Sequence, residues 1–265
     1  MRPLFSCVVP VKGPRPFMEA ALDSLRGQGM GDELEIIGQD GDVEPDKGQS
    51  DAFNKGFSHA KGRFLAWLNA DDIFLPGALK AVEREIARHP EGRWFVGGSV
   101  WGDAELKLQR CFRAHRFSRL RANTGSLMVG GPSSFFEKSL LEEVGGVDEN
   151  LHFVMDIDLW YRFYRHANQI YYRTRNYVWA FRIHEQSKMS GPTVDPNSET
   201  SKRKRARLAE EGALLCKRYG FCCGGWRQRI GTLLSMSIAD RLSSAFDEWR
   251  FQGQPVKIAG EKEHL

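Results

Sequence analysis

Two adjacent carboxylates, Asp71 and Asp72, close the run Phe64-Leu65-Ala66-Trp67-Leu68-Asn69-Ala70, and no other residues of the chain are so plainly suited to chemistry. The run is apolar enough for a buried strand. Neighbouring acids at its carboxyl end repel one another unless water solvates both or a cation sits between them. A divalent cation there would in turn hold a phosphate, and ligands of open α/β sheets collect beyond the carboxyl ends of strands. The competing reading is local: Asp72 caps the helix announced by Pro76.

The elements that would position these acids follow from periodicity. Strands are expected at Leu4 to Val11, Leu34 to Ile37, Phe64 to the acids, and Trp94 to Trp101. Helices are expected between them at Pro16 to Arg26, Gln49 to Ala60 and Leu79 to Ala87. This β-α-β-α-β-α-β order predicts an α/β fold with a mainly parallel, Rossmann-like central sheet flanked by helices. Beyond Gly102 the pattern loosens: a strand pair around Leu106 to Phe117 and Ser126 to Val129, helices at Lys138 to Val144 and Ile157 to His166, and an aromatic strand from Ile170 to Arg182. Gly191 to Thr200 reads as a linker or lid. Two helical patterns close the chain, the last with Trp226, Ile230, Leu233, Leu234, Ile238, Leu242, Ala245, Phe246 and Trp249 near one face. The expected division is 1–190, with halves over about 1–101 and about 102–190, followed by a lid and C-terminal helical extension over 191–265.

Composition narrows the class. At 265 residues, 41% hydrophobic and 11% aromatic, the chain is globular. A net charge of +4, much of it in Lys202, Arg203, Lys204, Arg205 and Arg207, does not describe a nucleic-acid-coating surface. No apolar stretch approaches the roughly 20 residues that span a bilayer, and Met1-Arg2-Pro3-Leu4 lacks a secretory h-region. The expected address is cytoplasmic. The five cysteines, Cys7, Cys111, Cys216, Cys222 and Cys223, show no CxxC spacing, so reduced thiols are expected rather than zinc or disulfides.

Several segments occur in an order that resembles the family 2 inverting glycosyltransferases of GT-A fold. They are Val8-Val9-Pro10-Val11, the run from Pro45 to Gly56, Asn69-Ala70-Asp71-Asp72, Gly131-Pro132-Ser133-Ser134-Phe135-Phe136, Gly145-Gly146-Val147-Asp148, Met155-Asp156-Ile157-Asp158-Leu159-Trp160 and Arg182-Ile183-His184. The resemblance covers roughly residues 4 to 188 and implies sugar transfer from a nucleotide diphosphate with Mn²⁺ or Mg²⁺. It implies Asp72 as the direct metal ligand, Asp71 on the donor sugar or ribose, and His184 reaching the metal or diphosphate. It makes Asp156 the base that takes a proton from the acceptor hydroxyl, with Met155 where a glutamate often stands. Asp158 cannot share the helix face of Asp156 and is expected to be structural.

The nucleotide is expected across the amino-terminal half, where Pro10-Val11 ends the first strand and Asp40-Gly41 follows the second. Asp40 and Asp42 both stand as candidates for the base, and a plain turn is the alternative. By analogy Gln49, Asp51, Asn54 and Lys55 point at the nucleotide, and Lys188 adds charge over the phosphates. The turn at Pro132, Ser133 and Ser134 is expected to offer hydroxyls to sugar or acceptor. Trp160 reads equally as a stacking face for an acceptor sugar or as core. The basic cluster reads as a solvated helix start or as attachment to the anionic cytoplasmic face of an inner membrane. The closing helix has three readings: membrane contact, packing on the domain, or pairing with a second copy.

The sequence thus predicts a metal-dependent inverting glycosyltransferase acting on a nucleotide-diphospho-sugar, with UDP the first choice, and a saccharide or lipid-linked acceptor. A non-catalytic sugar-nucleotide or glycan-binding module is the rival from another class. A sugar nucleotidyltransferase is the rival within the enzymes, faintly echoed by Val11-Lys12-Gly13-Pro14-Arg15.

Overall fold

β1 (Phe5–Val11) lies between β2 (Leu34–Asp40) and β3 (Phe64–Trp67) and is parallel to both. Alternate side chains leave a strand on opposite faces. Phe5, Cys7 and Val9 pack in one core cluster with α1 (Met18–Arg26) and α3 (Ala78–Arg88), while Val8 packs in another with α2 (Gln49–His59). Burial of both faces is why the β1 run is apolar without alternation. Gly56 lets α2 approach the sheet: a Cβ there would lie 2.4 Å from Val8 Cγ1. This computed structural model describes residues 2–13, 16–127, 129–185, 187–188, 197–221 and 238–256.

β5 (Trp94–Gly102) runs parallel to β8 (Tyr172–Arg182) and antiparallel to β6 (Leu108–Phe112) and β7 (Ser134–Glu137). β7 also pairs antiparallel with β3, and the two-residue β4 (Ile73–Phe74) runs antiparallel to β8. The strand order is β2-β1-β3-β7-β5-β8-β4, with β6 attached to β5. Four of the seven described pairings are antiparallel, so the sheet is mixed rather than mainly parallel. A parallel neighbour needs a crossover of about a dozen residues or more, usually a helix. β6 instead follows β5 across the turn at 103–107, and β7 is entered from the 3-10 turn Gly131–Ser133. The expected strand at Ser126 to Val129 does not form among its described residues.

α5 (Lys138–Glu143) and α6 (Met155–Arg165) follow β7, and α7 (Glu199–Tyr219) and α8 (Ile238–Phe251) come after β8, with α4 (Arg119–Asn123) earlier. α7 is built into the domain: its Leu215 and the following Phe221 share a core cluster with Leu159 and Trp160 of α6. Among the described residues no helix is long and apolar enough to cross a membrane. Cys7 and Cys111 are free, as expected, but Cys216 is disulfide-bonded, which corrects the expectation of reduced thiols throughout. Most of the expected lid, and Trp226, Ile230, Leu233 and Leu234, lie outside the described residues.

Candidate active site

The β4–β8 pairing creates the site. Ile73 stands opposite Ala180, so the residues just before β4 meet those at the end of β8. Asp72 Oδ1 accepts the Arg182 backbone N–H at 3.0 Å, and Asn69 Nδ2 donates to Asp72 Oδ2 at 2.8 Å. Asp72 is 0% exposed. Burial, followed by the Asp71 charge, pushes its carboxyl well above the ordinary range. Asp71 is different: its side chain is 29% exposed, and its Oδ2 lies 3.0 Å from His184 Nε2. Asp72, expected as the direct metal ligand, has its carboxylate closed off from solvent and held from both sides. Asp71 takes the open position. Arg182 fixes the pair from behind, with Nε donating to Asp71 O at 2.8 Å and its guanidinium 4.2 Å from the Phe17 ring centroid.

Among the described residues no three His, Cys, Asp or Glu side chains converge on one point. Asp71 and His184 offer one oxygen and one nitrogen 3.0 Å apart. Such a donor pair suits a cation that keeps its other positions for phosphate oxygens and water.

A hydrogen-bond chain runs from the acids to the opposite wall. Asn69 Oδ1 accepts from Gln49 Nε2 at 2.9 Å, and Gln49 Oε1 accepts from Lys188 Nζ at 2.8 Å. Lys188 also donates to His152 O and lies 5.4 Å from the Phe153 ring centroid. Burial holds its ammonium down at about 8, opposed by the charge of Asp156. Asp156 sits in the first turn of α6, half-buried. Burial pushes its carboxyl up to about 6, against the lowering effect of the Ile157 N–H, Lys188 and the Gly131 N–H. A carboxylate that titrates near neutrality is matched to general-base work.

α6 is held from behind by α7. Glu211, itself buried, accepts from the backbone N–H groups of His152 at 3.0 Å, Phe153 at 2.7 Å and Val154 at 3.3 Å. These donors lie at and just before the N-cap Val154, and a carboxylate there also complements the helix dipole. Asp158 is structural, as expected: it is paired with Arg162 at 2.8 Å and Arg218 at 2.6 Å, and accepts from Tyr219 Oη at 2.7 Å.

Residues 42–145 match the model of the family described as Glycosyl transferase family 2. Over that stretch the chain is similar to the family 2 glycosyltransferases. An uncharacterized glycosyltransferase of Rickettsia prowazekii is 25% identical over 199 residues, covering 64% of this chain and 61% of that protein. One of Mycobacterium tuberculosis is 34% identical over 110 residues, 40% of each. The chain thus spans about three fifths of the length of the first of these relatives. The crystal structure of S. aureus TarS 1-349 in complex with UDP-GlcNAc superposes with a TM-score of 0.52 at 14% identity, over 89% of this chain and 77% of that one. At that identity the likeness speaks for the fold, which is the GT-A-type α/β class expected from the sequence.

Pro10, Val11 and Asp40 stand at the carboxyl ends of β1 and β2, with Val11 opposite Asp40. Asp40 and Asp42 each take part in the turn: Asp40 Oδ1 accepts the Asp42 N–H at 2.9 Å, and Asp42 Oδ2 accepts the Gly13 N–H at 3.0 Å. Three residues assigned to the nucleotide by analogy bond within the protein. Asp51 accepts the Lys47 N–H at 2.8 Å, Lys55 donates to Pro45 O, and both amide atoms of Asn54 bind the backbone of Val147. The expected hydroxyl-bearing turn is also corrected: Pro132 and Ser133 are buried, Ser133 Oγ donates to Gly130 O at 2.9 Å, and the buried Ser134 Oγ accepts from Trp94 Nε1 at 2.7 Å. Trp160 resolves to core. It is fully buried, stacks on Trp67 at 5.7 Å and Trp94 at 5.3 Å, and donates to Val129 O at 3.0 Å. Asn69 and Glu211 escaped the sequence reading. Asn69 lies inside the quoted acidic motif, whereas nothing local to Glu211 marks it.

Proposed function

We propose that this chain is a metal-dependent inverting glycosyltransferase that moves a sugar from a nucleotide diphosphate, with UDP-sugars first in line, to a saccharide or lipid-linked acceptor. The observation that carries the reading is the chain Lys188–Gln49–Asn69–Asp72. It ties the wall bearing Asp156 to the wall bearing Asp71 and His184. One wall suits a base and the other a leaving diphosphate.

In this reading Asp71 and His184 hold Mn²⁺ or Mg²⁺, which when bound neutralises charge developing on the departing diphosphate. Pro10, Val11 and Asp40 border the base and ribose. Asp156 accepts the acceptor hydroxyl proton, and Lys188 keeps that carboxylate ionised near neutral pH. Gln49 keeps Asn69 and Lys188 in register. The TarS structure in complex with UDP-GlcNAc motivates UDP-sugars as the first donors to try.

The deciding experiment is a panel of UDP-, GDP- and dTDP-sugars, read by thermal shift and by donor hydrolysis with and without Mn²⁺. One donor should raise the melting temperature in a metal-dependent way and be slowly hydrolysed. Stabilisation without hydrolysis for every donor would make the chain a binding module. No stabilisation by any donor would remove the proposal.

A further inference from the structure

α8 is turned inside out relative to an ordinary surface helix. Asp247, Ser244 and Glu248 face the protein: Asp247 Oδ2 accepts from Arg113 Nε at 3.0 Å and Tyr177 Oη at 2.7 Å. Ser244 Oγ accepts the Arg113 N–H at 3.2 Å, and Glu248 Oε2 accepts the Cys111 N–H at 3.3 Å. Three of its large apolar side chains face outward, while Phe251 at its end packs against the core. Leu242 is 65% exposed, Phe246 54% and Trp249 76%. Their spacing of four and three residues puts them in one stripe, with exposed Ala245 alongside.

The helix is fixed in this orientation. Past its end, Gly253 N–H donates to Leu108 O at 2.8 Å, Gln254 O accepts the Leu108 N–H at 2.8 Å, and Val256 is buried. The outward stripe is therefore no by-product of loose attachment. Asp247 and Glu248 are both engaged at the β6 side, so among the described side chains of α8 the outward charge is Arg250 and no carboxylate.

We propose that the Leu242–Phe246–Trp249 face of α8 seats on an anionic lipid surface. A stripe of three large side chains is too small for a stable second copy, which needs about 800 Å² from each partner. A helix lying in the plane of a bilayer interface needs only such a stripe, with Trp and Phe at the headgroup boundary and basic residues beside them. Among the described side chains of α8 no acid faces outward, which with the exposed Arg250 matches a negative leaflet, and exposed Arg203 of α7 adds to the chain's positive excess. This inference is independent of the transfer reading and would stand if that reading failed.

The test is co-sedimentation of the full chain with vesicles of phosphatidylcholine alone or mixed with phosphatidylglycerol. The protein should pellet with the mixed vesicles and less with the neutral ones. The triple variant Leu242→Ser, Phe246→Ser, Trp249→Ser should lose about tenfold or more in partitioning, with melting temperature and donor hydrolysis unchanged. Trp249→Phe serves as a second variant: wild-type tryptophan emission should shift to the blue on mixed vesicles, and this variant should lose most of that shift. A wild-type chain that stays in the supernatant overturns the proposal. So does equal pelleting of the triple variant, equal binding to both vesicle types, or a dimer in buffer that the triple variant converts to monomer.

Discussion

His184 Nε2 and Asp71 Oδ2 stand 3.0 Å apart, although 113 residues separate them in the chain. Both are partly open to solvent, whereas Asp72 beside them is closed off. Asp71→Asn and His184→Ala should therefore each weaken Mn²⁺ activation of transfer by about 100-fold, with small changes in melting temperature. Asp72→Ala should do the reverse in emphasis. It leaves the Arg182 N–H and the Asn69 amide without their buried acceptor and should cost about 1–3 kcal/mol of stability, read by denaturant unfolding. Equal stability losses at both acids would contradict the assigned division of roles.

Asp156→Asn should lower transfer by about 10²–10⁴-fold while leaving donor binding in place. Its effect on stability should run the other way. The wild-type carboxyl is raised from 3.8 to about 6 by burial, so the folded state prefers the protonated form. That preference favours folding fully below about pH 4 and is lost as pH rises through about 6. Near pH 8 the ionised group opposes folding, and the Asn variant should be more stable than wild type by about 1–3 kcal/mol. Melting curves at both ends of this window check the sign.

The rate of transfer should fall below about pH 6 as Asp156 takes up a proton and above about 8 as Lys188 loses one. The two groups interact, so the measured limbs belong to the pair. Lys188→Met removes a positive charge that favours the Asp156 carboxylate. The acidic limb should then move to higher pH and the alkaline limb should vanish. An unmoved acidic limb would show that Lys188 does not act on the base.

Glu211→Ala should orphan three backbone N–H groups at the start of α6 and cost about 1–3 kcal/mol. Because the damage is to the turn that aims Asp156, transfer should fall more than donor hydrolysis does. Glu211→Gln, which retains one acceptor oxygen, should fall between the two. Parallel assays of transfer and hydrolysis on the three proteins separate positioning from general destabilisation.

The amino-terminal half was legible because its signals are local. β1, β2, β3 and β5 are separated by helices whose apolar residues recur at helical spacing, and their observed bounds differ from the expected ones by a few residues, whereas the two-residue β4 was not expected. β7 was not legible. Its four residues, Ser134-Phe135-Phe136-Glu137, are too few to show a period, and its place between β3 and β5 depends on partners far away in the chain. The same limit applies to Ser134 and Trp160. Their types suit a site, yet the packing of Trp67, Trp94 and Trp160 turns them inward.

The sequence by itself determined the α/β class, the acidic pair at the end of a buried strand and the carboxylate at the start of α6, since each rests on neighbours a few residues away. Only the tertiary structure decided which acid opens to solvent. Successive residues beyond a strand face different ways, and it is the antiparallel meeting of β4 with β8 that buries Asp72 under Arg182 and leaves Asp71 facing His184. The bracing of Asp156 by Glu211 was decided there as well, because a contact spanning more than fifty residues leaves no periodic trace in the chain.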